Sequence, residues 1–346
     1  MGSRRPALFA TALLTATTLL AGCGDDGGGE DDATDDRDGD PATATATATA
    51  TTTTTTTEAG AAALAAPTCE DGTFDERAYI LCTAGSGDEQ PLVLALHGRG
   101  SSPEEMQTMT GLDQLAATTE GAAVVYPAGV DQGWGDDTFT TPDRPAGDED
   151  VVFLDGLVAE LQADPRIADG PVGVVGFSNG ASMALRYGSA RPEAVTGIVA
   201  VAGQLPRDPA IRPTAPVPLL LVYGTADPVR SYDDGIPDDP ARRPGDPTPT
   251  LPTIDAITAF VDVAPGAAAD HTGPEESDPD PADATRLRTE VWTGDDGTPI
   301  VLHAIVGGGH TWPGATGPGR PDFGAVSTDL AASEVGLAFL LGSGAE

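Results

Sequence analysis

Val172-Gly173-Val174-Val175-Gly176-Phe177-Ser178-Asn179-Gly180 leads from a valine-rich run into a turn, and residues 179–187 then read as a helix. An apolar run of this kind is the pattern of a strand buried on both faces. The turn places a hydroxyl in a G-x-S-x-G frame. Small residues beside Ser178 let strand and helix pass closely, and the hydroxyl is lifted above the sheet edge with its back to a helix N-terminus. Similar apolar runs recur at Leu92–Leu96, Ala122–Tyr126, Ile198–Val201, Leu219–Val222 and Val301–Ile305. Between them lie helical patterns. Val151, Phe153, Leu154, Leu157, Val158 and Leu161 fall at helix spacing behind the acidic opening Asp148-Glu149-Asp150. Strand alternating with helix predicts an α/β protein with a mostly parallel, doubly wound sheet, right-handed crossovers and helices on both faces.

The rest of the 346 residues is not uniform. Residues 1–22 carry Arg4 and Arg5, an apolar stretch from Ala7 to Leu20, and then Leu20-Ala21-Gly22 before Cys23. These features predict a secretory signal peptide, and the ending resembles a bacterial lipobox, which implies a lipid on Cys23. Residues 23–66 are Asp/Gly, then Ala/Thr, then a run of Thr, with Leu64 as the only large apolar side chain. Such a segment cannot bury enough apolar surface to offset its ordering entropy, so it reads as a disordered stalk. Residues 67–346 remain for one catalytic-sized domain. Within them, 233–285 is crowded with Pro and Asp and holds one expected helix, Ile254–Val263; it reads as an excursion from the scaffold.

Charge and cysteine narrow the field. The net charge is −37, and all 17 basic residues are Arg. That balance excludes a nucleic-acid partner and disfavours polyanionic substrates. It also suggests adaptation to salt, in which case the melting temperature should climb with ionic strength. With Cys23 lipidated, Cys69 and Cys82 are left as one pair in an oxidising compartment, and a disulfide between them is expected. Metal-ligand spacing of the zinc type, a P-loop and EF-hand spacing are all missing from the sequence, so neither metal nor cofactor is expected.

A serine hydroxyl needs a base to take its proton, and the base needs an orienting group. Of the four histidines, His271 lies in the excursion, His303 lies within a strand pattern, and His97 ends a buried strand. His310 follows Val301–Ile305 through Gly307-Gly308-Gly309, at the strand end where α/β sheets keep their sites. Asp227, in Gly224-Thr225-Ala226-Asp227-Pro228, leaves Leu219–Val222 at the same edge. The order Ser178, Asp227, His310 matches an acyl-transfer triad. After Leu92–Leu96 comes His97-Gly98-Arg99-Gly100, whose glycines let a backbone amide turn toward a developing oxyanion. The expected donors are the N–H groups of Arg99 and of Asn179, the residue after the nucleophile.

These motifs, with Ala163-Asp164-Pro165-Arg166-Ile167 and Gly307-Gly308-Gly309-His310-Thr311-Trp312-Pro313-Gly314, resemble secreted esterases of the polyhydroxybutyrate depolymerase and feruloyl esterase group within the α/β-hydrolases. The resemblance spans most of 75–340. It implies Ser178 as nucleophile, His310 as base, Asp227 as orienter, an acyl-enzyme released by water, and Trp134 and Trp312 beside the substrate. The expected protein is a monomeric serine esterase acting on neutral esters, either feruloyl or acetyl groups on polysaccharide or hydroxyalkanoate oligomers. It is held to the outer face of a bacterial membrane through Cys23. Two rivals use the same scaffold: a serine peptidase, and a binding lipoprotein without catalysis.

Overall fold

A computed structural model describes residues 66–85, 89–119, 121–138, 147–208, 210–237, 247–315 and 320–342. The expected signal peptide, Cys23 and the stalk up to residue 65 lie outside the described residues. The strands are β1 (Thr68–Phe74), β2 (Arg77–Thr83), β3 (Leu92–Leu96), β4 (Ala123–Pro127), β5 (Val172–Phe177), β6 (Val195–Val201), β7 (Leu219–Gly224), β8 (His271–Ser277), β9 (Arg286–Thr293) and β10 (Pro299–Val306). The α-helices are α1 (Pro103–Thr110), α2 (Leu112–Thr119), α3 (Glu149–Leu161), α4 (Asn179–Ala190), α5 (Thr253–Val261) and α6 (Ala332–Leu341).

Among the described residues, ten strands form one sheet in the order β1-β2-β4-β3-β5-β6-β7-β10-β9-β8. From β4 to β10 neighbouring strands run parallel. The two margins, β1-β2 and β9-β8, pair antiparallel. This is the α/β-hydrolase fold. The sheet divides two apolar cores, and β3 shows how: Leu92, Leu94 and Leu96 enter one core while Val93 and Ala95 enter the other. Side chains alternate across a strand, so a strand covered on both faces must be apolar at every position. Residues of α3, α4 and α5 fill the first core, and residues of α1, α2 and α6 fill the second.

The six apolar runs are the six parallel strands, each within a few residues of its expected span. The margins were not expected. Strand β8 is exposed at every residue, because it is an edge strand with no layer over either face, and so it has no apolar signature. It lies inside the 233–285 excursion, as does α5, whose observed start is Thr253. At the opposite margin Cys69 and Cys82 are direct register partners on β1 and β2, and a disulfide joins them. Among the described residues, no helix is long and apolar enough to cross a membrane.

Candidate active site

Strand β5 enters α4 through Ser178, whose backbone sits at φ 54° and ψ −113°. An L-residue is strained there, at a cost on the order of 1–3 kcal/mol, so surrounding contacts must impose the conformation. The Ser178 N–H donates to the Val201 carbonyl at 2.8 Å, and the Ser178 carbonyl accepts from the Ser182 N–H at 3.0 Å. The flanking glycines are required by contact. A Cβ on Gly176 would run into the carbonyl of Gly180, and one on Gly180 would run into the carbonyls of Leu96 and His97.

His310 bridges the two other residues of the predicted triad. Its Nδ1 lies 2.7 Å from Asp227 Oδ2, and its Nε2 lies 2.7 Å from Ser178 Oγ. A carboxylate only accepts, so Nδ1 carries the ring proton and Nε2 presents its lone pair to the serine hydroxyl. The Asp227 side chain is wholly buried. Its other oxygen accepts from the N–H groups of Val229 (2.7 Å) and Arg230 (2.8 Å), which locks the carboxylate's orientation. The His310 ring is packed between Phe177 and Phe323, with both centroids 5.3 Å away. Its backbone N–H donates to the Phe323 carbonyl at 2.6 Å, while Gly309 N–H donates to Ala325 at 2.9 Å. Residues 320–329 thus form a strap behind the histidine.

The turn after β3 passes against the nucleophile: a Cβ on Gly98 would lie 3.5 Å from Ser178 Cβ. Arg99 follows on the exposed side, and Asn179 occupies the first position of α4, where a backbone N–H has no intrahelical acceptor. His97 braces this turn. Its Nε2 accepts from the Gly129 N–H at 3.0 Å, so Nδ1 is the protonated nitrogen and donates to the Gly98 carbonyl at 2.8 Å. Burial holds the imidazole below its usual pKa, which favours this neutral form.

Trp134 and Trp312 do not lie where the resemblance implies. They are 1% and 2% exposed, so neither ring offers a face to a substrate. The indole N–H of Trp134 donates to the His97 carbonyl at 3.0 Å, and that of Trp312 donates to Ser333 Oγ at 3.1 Å. Both are packing residues behind the site. A Trp among glycines reads the same in sequence whether its ring faces core or cleft. His271 and His303 lie on the antiparallel margin and its neighbour, away from the triad: His271 stacks on Trp292, and His303 Nδ1 pairs with Thr289 Oγ1 at 3.0 Å.

Several contributors were not readable in the sequence. The buried Arg230 guanidinium donates to Ser182 Oγ at 2.7 Å and Thr138 Oγ1 at 3.3 Å, tying the Asp227 turn to α4 and to the loop after β4. Arg186 pairs with Asp137 and Asp148 nearby. The partners stand 38 to 92 residues apart, a distance no local pattern bridges. Among the described residues, the one cluster of possible metal ligands is Cys69, Cys82 and Asp113. Its two sulfurs are joined to each other and offer no thiolate.

Residues 78–236 match the model of the phospholipase/carboxylesterase family. Over 260 residues the chain is 38% identical to NocK of Nocardia uniformis subsp. tsuyamanensis, a protein assigned as an esterase; the match covers 73% of this chain and 74% of NocK. It is 26% identical over 179 residues to a protein of Aspergillus terreus assigned as feruloyl esterase C, covering 49% of this chain and 63% of that one. Among solved structures, the acetyl xylan esterase of Aspergillus awamori superposes with a TM-score of 0.48 at 13% identity, over 70% of this chain and 94% of the other.

Proposed function

This chain belongs to the phospholipase/carboxylesterase family of α/β-hydrolases, and we propose that it hydrolyses carboxylic esters through an acyl-enzyme on Ser178. The observation that carries the mechanism is the pair of 2.7 Å contacts made by the one imidazole of His310. His310 Nε2 takes the hydroxyl proton as Ser178 Oγ bonds to the ester carbonyl carbon, and Asp227 stabilises the imidazolium that forms. The N–H groups of Arg99 and Asn179 bind the tetrahedral oxyanion. The imidazolium then returns its proton to the leaving alkoxide, the alcohol departs, and the acyl group stays on Ser178. Water attacks that ester with His310 again as base, which releases the acid and restores the serine.

The substrates proposed are neutral esters: feruloyl or acetyl groups on polysaccharide, or hydroxyalkanoate oligomers. The net charge of −37 supports this choice by repelling polyanions. Two relatives carry names in the same chemistry, feruloyl esterase C and the acetylxylan esterase/xylanase of Neocallimastix patriciarum. The protein is proposed to work as a monomer, exported and anchored through a lipid on Cys23.

Labelling with a fluorophosphonate, with the adduct mapped, tests the mechanism. The expected result is modification at Ser178 and hydrolysis of p-nitrophenyl acetate and methyl ferulate that is lost in Ser178→Ala. An unlabelled serine in folded protein, at low and high salt, would overturn the mechanism. A matched amide cleaved as fast as its ester would replace it with a peptidase.

A further inference from the structure

The two N–H groups assigned to the oxyanion come from turns 80 residues apart in sequence. Pairing of β3 with β5 runs up to Leu96 opposite Gly176 and stops there. The sheet therefore aligns the strands but not the turns beyond them. A hole that binds a developing charge needs its donors held to about 0.5 Å.

The two turns touch only through backbone packing at Gly98 and Gly180, and one short segment hydrogen-bonds to both. The Asn179 side chain is fully buried and gives both polar atoms to Trp134: Oδ1 accepts from the Trp134 N–H at 2.7 Å, and Nδ2 donates to the Trp134 carbonyl at 3.0 Å. The Trp134 indole N–H donates to the His97 carbonyl at 3.0 Å. Gly129 N–H donates to His97 Nε2 at 3.0 Å, and Gly100 N–H donates to the Gln132 carbonyl at 2.7 Å. Gly129–Trp134 thus meets the elbow through two hydrogen bonds and the Arg99 turn through three.

We propose that Gly129–Trp134 is a splint for the oxyanion hole, with the Asn179 side chain and Trp134 as its positioning residues. The inference rests on the esterase reading above. Asn179 then has two functions: its main chain binds the oxyanion, and its side chain sets the distance to the other donor. Removing the side chain would leave the Trp134 N–H and carbonyl buried without those partners, and the splint would shift to recover them.

Two variants test this. Trp134→Phe keeps an aromatic side chain but removes the pyrrole part of the indole and with it the bond to His97; Asn179→Ala keeps the backbone N–H and deletes the clamp. Loss of a whole oxyanion donor lowers kcat by about 10²–10³. A displaced donor should do less, so kcat is expected to fall about tenfold for Trp134→Phe and nearer a hundredfold for Asn179→Ala. KM should stay within about twofold. The inhibition constant of a trifluoromethyl ketone, whose adduct with Ser178 carries an oxyanion, should rise by the same factor as kcat falls. That of the carboxylic acid product should not move. If Asn179→Ala does not fold, Trp134→Phe alone decides the matter. Unchanged kcat with a lowered melting temperature would overturn the proposal, as would a raised KM with unaltered ketone affinity. An inactive unmodified protein would overturn the esterase reading, and the splint with it; an active one with either of those variant results overturns the splint alone.

Discussion

The parallel centre of the sheet and its β8–β9 margin are built by different means. In the centre β3, β4 and β7 are buried at every position, and the two apolar cores hold them by desolvation. Strand β8 is exposed at every position, and the margin adds polar ties to the few apolar contacts of β9, Trp292 in one core and Leu287 against the other. The turn before β9 is fastened to the 320–329 strap: Asp283 accepts from the Thr328 N–H at 2.6 Å, Thr328 Oγ1 donates to Asp280 at 2.7 Å, and Thr285 Oγ1 donates to Asp329 at 3.0 Å. Apolar burial is non-directional and fixes layers, whereas hydrogen bonds fix individual atoms. The site uses both. Ser178 and Asp227 follow central strands; His310 follows β10, the strand where centre meets margin, and the strap behind it is held from the margin.

If this division holds, the largest effect belongs to the centre. Asp227→Asn should lower kcat by about 10⁴ in folded protein, because the amide's N–H group favours the wrong imidazole tautomer; a loss below tenfold would mean that Asp227 does not orient His310. Asp283→Ala, on the margin, should act through the strap and lower kcat by roughly tenfold, within the range of small displacements of catalytic groups. A melting temperature lowered with kcat intact would mean that the strap does not transmit position. His303, on β10 between β7 and β9, is pushed down to about 4 by burial. Between pH 6.5 and 4 the unfolded chain therefore binds a proton that the folded chain refuses, so stability falls as pH drops through that window and is complete above it. His303→Gln should flatten the melting temperature across the window, and a slope unchanged from the parent would exclude His303 as its source. Smallest of all, Glu276→Lys on exposed β8 should stay within about 0.5 kcal/mol in denaturant unfolding.

The same division explains what the sequence let one read. A strand covered on both faces has to be apolar throughout, so the six parallel strands stand out as runs. Residues at their ends inherit a location from them, which is why Ser178, Asp227 and His310 group together on sequence alone. The margin has no such constraint: β8 carries no apolar run because nothing covers it, and the Pro/Asp-rich segment around it looked like an excursion. Trp134 marks the other limit. Its burial and its clamp by Asn179, 45 residues away, depend on tertiary contact that no periodicity records. For Cys69 and Cys82 the compartment argument named the pair, but only the β1-β2 register shows them to be direct cross-strand neighbours.

That register has a mechanical consequence. Thr68, the first residue of β1, pairs with Thr83, and the very next pair is Cys69 with Cys82. A pull on the chain that precedes Thr68 would open β1 from β2 like a zipper, one rung at a time, since such a load never reaches all the ladder bonds together. Here the unzipping meets a covalent rung after a single step. Tension arriving from the N-terminal side is thereby handed to β2, which is paired with β4 in the body of the sheet, and β1 cannot be stripped away rung by rung.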